Sequence, residues 1–189
     1  MKVLNYRDIG NDWLSYRPVA EAAVNDYMIF QDPLIGSSNA KITSVSLAHL
    51  MAAFGSSDLE GRTILDLGCG SRNSDGGDLR LQHPHLCRVL RRMGAKPVGI
   101  DINDSLEGFE FYSADLSKPG ALDFLRGRNF DAAHSRGLFD SSFAFHSGKT
   151  SPEALFRNVV SGLSGVVVPD GFFLWGNNED RGNLREERK

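Results

Sequence analysis

Residues 63–73, Thr-Ile-Leu-Asp-Leu-Gly-Cys-Gly-Ser-Arg-Asn, run from an apolar strand straight into Gly68 and Gly70. A strand that ends in glycines lets backbone N–H groups approach a ligand closely, and a following helix terminus adds partial positive charge. The dinucleotide fingerprint G-x-G-x-x-G is incomplete, because Asn73 stands at its third glycine position. Asp66, two residues before the first glycine, repels phosphate and either orients the loop or meets an ammonium or sulfonium group. The turn therefore points to a cationic or zwitterionic ligand.

Working outward, short β-rich runs alternate with helical stretches. The strands are read at 63–68, 97–101, 109–115, 130–135 and 171–176, with helices at 83–95, 120–129 and 151–163. Strands joined by helical crossovers predict an α/β three-layer sandwich, a doubly wound, mainly parallel sheet of at least five strands. In that fold, ligands bind at the carboxyl edge of the sheet. Asp101 ends the second strand, where an acid accepts hydrogen bonds from a ribose diol, and Ile102 follows it. The 31 residues from Gly70 to Asp101 exceed the usual ~20, which predicts an insertion in the glycine loop. Asp115 and Leu116 reach the same edge from the third strand, where a carboxylate accepts an exocyclic amine or caps the next turn.

Ahead of these lie two expected helices. Pro18 opens the first at its initial turn, and apolar residues from Ile42 to Phe54 mark the second. Residues 1–58 thus read as a helical extension, 59–177 as the ligand-binding domain and 178–189 as a charged tail. With 41% apolar and 24% charged residues in 189, the chain has the composition of a folded domain, not a disordered one. A net charge of −3 argues against a general nucleic-acid binder. No apolar run has the length of a membrane span or signal peptide, and Cys69 and Cys87 are too few for a disulfide framework. These features suggest a cytoplasmic protein.

The three strand ends together resemble the class I S-adenosylmethionine-dependent methyltransferases, in which an acid-x-Gly-x-Gly loop, a ribose-binding acid and an adenine-side Asp recur in this order. The resemblance runs over residues 59–177 and includes NFDAAHSRGLF (129–139) and VVPDGFFLWGN (167–177). It implies a Rossmann-like methyltransferase fold and S-adenosylmethionine as cofactor, with S-adenosylhomocysteine as product. It also implies that Asp66 anchors the loop and that Gly68, Cys69 and Gly70 pack against the methionine moiety. Asp101 and Ile102 would then hold the ribose side, Asp115 and Leu116 the adenine, and His134 and Ser135 would lie near the methyl donor. Two departures are Arg72, where many members have a third glycine, and the lack of recognisable sixth and seventh strands after Trp175.

The implied activity is methyl transfer to a small-molecule acceptor. Two alternatives are a silent cofactor-binding or interaction protein and, more distantly, an NAD(P)-dependent oxidoreductase. If the acceptor carries a proton, His134, Asp140 and His146 are the candidate general bases. Tyr6, Trp13, Tyr16 and Arg17 are read either as a lid or as a cover over the sheet edge. His83, His85 and Cys87 lack a suitably spaced fourth ligand, so no metal is expected. Arg88, Arg91, Arg92 and Lys96 read as a solvated helix face. The last strand would leave a bare sheet edge, so a neighbouring subunit in a homodimer, or the tail, is expected to cover it.

Overall fold

The computed structural model describes residues 1–30, 37–70, 83–139 and 150–176. In chain order the elements are β1 (Lys2–Asn5), a 3₁₀ turn (Tyr6–Ile9), α1 (Trp13–Phe30), α2 (Ser37–Phe54), β2 (Thr63–Leu67), α3 (His85–Arg92) and β3 (Lys96–Asp101). There follow β4 (Glu110–Ser113), a 3₁₀ turn (Asp123–Leu125), β5 (Phe130–Arg136), α4 (Pro152–Leu163) and β6 (Val167–Gly176). All six strands are parallel, in the order β1-β6-β5-β2-β3-β4. The fold is a Rossmann-like α/β sandwich.

Alternating residues send one row to each face of the sheet. Ile64, Ala132, Phe172 and Leu174 pack with Ala20, Leu47, Leu50, Val89 and Leu90 from α1, α2 and α3. Leu65, Leu67, Val98, Ala133 and Phe173 pack with Leu155, Val159 and Leu163 from α4. Burial on both faces explains why neighbouring positions such as Ile64 and Leu65 on β2, and Ala132 and Ala133 on β5, are both apolar. Among the described residues no helix is long and apolar enough to cross a membrane.

The sixth strand corrects the reading of the amino-terminal region as purely helical. Lys2 to Asn5 pair with Phe172 to Trp175, so residues of the same chain cover the β6 edge in place of a neighbouring subunit or the tail. A capping box then ends the strand, with the Asn5 side chain accepting from Arg7 N–H and Asn5 N–H donating to Asp8. α1 begins at Trp13, which places Pro18 inside the helix instead of at its start. Residues 120–129 form a short turn, not a helix. Gly120, Gly127 and Asn129 have φ of +76°, +79° and +57°, values no α-helix contains.

β4 is shorter than read, since it pairs only with β3 and stops before the Asp115–Ser117 turn. β6 is longer, and Pro169–Gly171 form an excursion within it. Between Phe130↔Val167 and Ala132↔Phe172, β5 advances two residues (132 − 130) while β6 advances five (172 − 167). Gly171 is needed there, because a Cβ would lie 2.6 Å from the Asp131 carbonyl oxygen. The basic strip on α3 is also not uniformly solvated. Arg88 forms a largely buried two-pronged pair with Glu107, at 3.0 and 2.9 Å, and Arg92 pairs with Asp26.

Candidate active site at the strand ends

The glycine turn after β2 is fixed from the neighbouring strand. Gly68 and Gly70 take φ of +67° and +87°, which L side chains rarely adopt. The Gly68 and Cys69 N–H groups donate to the Ile100 carbonyl at 2.8 and 3.2 Å, and Gly70 N–H donates to Asp101 Oδ2 at 3.0 Å. All three amides at the start of the turn are thus engaged within the protein. Cys69 turns inward over Gly99, where a Cβ would come within 2.9 Å of its sulfur. Burial pushes the Cys69 thiol up, and that of Cys87 further.

Asp101 holds the turn yet remains only partly buried. Its Oδ1 accepts from Asn103 N–H at 3.2 Å. Desolvation raises its pKa above the ordinary aspartate value, opposed by hydrogen bonds from the Asn103, Gly70 and Ile102 amides, while nearby Asp66 reinforces the rise. Ile102 beside it is 60% exposed, which is high for a large apolar side chain. Asp115 stands further out. Its Oδ1 accepts from Ser117 N–H and Oγ, and Lys118 Nζ lies 3.6 Å from Oδ2. The Ser117 hydroxyl is the main cause of its lowered pKa. Leu116 is buried in the core below.

Asp66 is engaged quite differently. Its Oδ1 lies 2.7 Å from His134 Nδ1, and its Oδ2 accepts weakly from the Cys87 thiol at 3.5 Å. The other ring nitrogen of His134 lies 2.6 Å from the Tyr6 hydroxyl. A proton on Nδ1 satisfies all three groups: Nδ1–H donates to the carboxylate and Nε2 accepts from the phenol. His134 is only 2% exposed. Tyr6 stacks on His49 of α2 at 4.1 Å between centroids, and Trp13 stacks on His49 at 4.8 Å. Gly176 makes room for Tyr6, since a Cβ there would lie 2.5–2.7 Å from the ring.

The structure therefore gathers Asp66, Gly68, Cys69, Gly70, Asp101, Ile102, His134 and Ser135 at one rim, with Asp115 and Leu116 at its far side. Asp140 and His146 lie outside the described residues. Sequence reasoning missed the partnership of Tyr6 with His134 and Asp66, as well as Arg136. The parallel pairing of β1 creates that partnership, and no local motif encodes it. Ser135 Oγ is fully buried and has no hydrogen-bond partner among the described residues. A buried hydroxyl in that state is a candidate to meet a ligand.

Fold and rim together define a Rossmann-like α/β protein with a glycine turn and a half-buried carboxylate at the carboxyl edge of its sheet. Over 184 residues, 92% of its length, the chain is 27% identical to a fatty-acid O-methyltransferase of Mycolicibacterium smegmatis. It spans 61% of that relative's length. A structural comparison pairs 84% of the chain with 62% of Burkholderia thailandensis 1,6-didemethyltoxoflavin-N1-methyltransferase, crystallised with 1,6-didemethyltoxoflavin and S-adenosylhomocysteine, at a TM-score of 0.47 and 17% identity. No protein-family model matches the chain.

Proposed function

We propose that this domain binds S-adenosylmethionine and passes its methyl group to a small-molecule acceptor. The observation that carries the reading is the hydrogen bond between the Gly70 amide and Asp101. It fixes a glycine turn beside a half-buried carboxylate that keeps lone pairs for a ribose diol. With the amides of Gly68, Cys69 and Gly70 all committed internally, the start of the turn offers little to a diphosphate and favours a sulfonium nucleoside.

Other features of the rim fit the same ligand. Exposed Ile102 offers an apolar surface to a planar base, and Ser135 Oγ offers a buried donor. Asp115 and the Leu116 amide are assigned to the adenine side. When bound, the cofactor supplies an electrophilic methyl carbon on positively charged sulfur. The protein's part is to orient the acceptor and exclude water. His134, with both ring nitrogens engaged and its ring buried, is assigned to positioning Asp66 and the turn, not to proton abstraction. The name of the curated relative supports a fatty acid as the first acceptor to try.

Calorimetric titration tests the cofactor. S-adenosylhomocysteine is expected to bind at micromolar strength and NAD(P) not to bind; the reverse would replace this reading with an oxidoreductase. Turnover is then assayed with labelled S-adenosylmethionine and a panel of fatty acids and other small acceptors. Binding without transfer to any of them would leave a silent cofactor-binding protein.

A further inference from the structure

We propose that Arg136 is the anchor for a carboxylate group on the acceptor, an inference that rests on the methyl-transfer reading above. Arg136 is the last residue of β5 and belongs to the rim: Leu138, two residues on, comes within 3.2 Å of a Cβ built on Gly68. Its side chain reaches α2, where Nη1 donates to the Ile42 carbonyl at 3.1 Å and to Ser46 Oγ at 3.3 Å. The guanidinium carbon lies 5.8 Å from the centroid of the Tyr6 ring. Every one of these partners is uncharged.

Five other arginines make the contrast. Arg17, Arg88, Arg92, Arg126 and Arg128 each pair with a carboxylate at 3.0 Å or less. Arg136 has no carboxylate partner among the described residues, and its Nε is buried without an acceptor. Arg136 is half-buried, so its guanidinium is partly withdrawn from water without a counter-charge, and the orphaned Nε–H adds to that cost. Both penalties are relieved by an anion, and the planar fork of donors matches a carboxylate. A carboxylate is ionised at neutral pH and needs no base before it attacks a methyl group, in keeping with the internal commitment of His134.

The probe is octanoate, titrated into the protein saturated with S-adenosylhomocysteine, with octanamide as its uncharged match. The wild type is expected to prefer octanoate by about tenfold or more, the range of one charge-assisted hydrogen bond. Arg136→Gln is expected to remove that preference while leaving octanamide and S-adenosylhomocysteine binding within about twofold, and Arg136→Lys to restore part of it. Ser46→Ala deletes one of the neutral contacts and is expected to leave the preference intact, whereas a residue that merely pinned α2 to β5 would be as sensitive there. Equal binding of the two probes by the wild type, or a preference that survives Arg136→Gln, overturns the proposal. If Arg136→Gln fails to fold, the wild-type comparison and Arg136→Lys decide it. If S-adenosylhomocysteine does not bind but octanoate still depends on Arg136, the cofactor reading falls and the carboxylate site stands.

Discussion

Asp66 and Asp101 lie on adjacent strands within a few residues of the same glycine turn, yet the fold treats them in opposite ways. Asp66 faces the α1–α2 side, almost fully buried, with its oxygens engaged by His134 and Cys87. Asp101 stands at the rim and, among the described residues, is held by backbone amides alone. The difference teaches that an acid beside a glycine loop is not automatically a ligand contact. Here the inner acid ties β2 to β5 and, through Tyr6, to β1. The outer one is the acid assigned to the ligand in the proposed function.

Removing each acid tests that division. Asp66→Ala leaves the buried His134 Nδ1–H without an acceptor and is expected to destabilise the fold by about 3 kcal/mol or more in urea denaturation. A loss below 1 kcal/mol would mean the triad is not structural. Gly176→Ala forces a methyl group into the Tyr6 ring and should cost about 1–3 kcal/mol by the same measurement, unless Tyr6 can shift away from His134. Asp101→Ala inverts the pattern. It is expected to cost only about 1 kcal/mol of stability while weakening S-adenosylhomocysteine binding by about tenfold, read by calorimetry.

The smallest expected effect is on pH dependence. Because burial raises the Asp101 pKa, its carboxyl takes up a proton at a pH where an ordinary aspartate is still ionised. The native state thus binds more protons than the unfolded chain in the window between the ordinary and raised values. Asp101's contribution to stability is present below its unfolded pKa and is lost as pH rises through the folded one. Ligand affinity runs the other way. Acceptance of ribose hydroxyls by the ionised carboxylate should fade as pH falls through the raised value, and Asp101→Asn should remove that component from a titration series.

Much of this arrangement was legible in the residues, and what was not has physical causes. TILDLGCG and KPVGID announce β2 and β3 because buried parallel strands are continuous apolar runs ended by turn residues. The Gly70–Asp101 contact follows from the register that pairs Leu67 with Ile100. β1 escaped notice because four residues carry no usable period, and its pairing partner lies some 170 positions away. Without β1, Tyr6 read as part of a lid or of a cover over the sheet edge, and His134 as one of three candidate bases. The structure turns them into partners in one buried chain of hydrogen bonds. Asp115 carried two readings from the outset, and its bonds to Ser117 show the turn-capping one, with the adenine role left to experiment.

The most direct measurement is a crystal structure grown with S-adenosylhomocysteine. The ribose hydroxyls are expected within hydrogen-bond distance of Asp101, with the homocysteine moiety against Gly68 and Gly70 and the Asp66–His134–Tyr6 chain unchanged. A nucleoside bound elsewhere, or one that pulls Asp66 away from His134 to make its own contact, would contradict the division between the two acids.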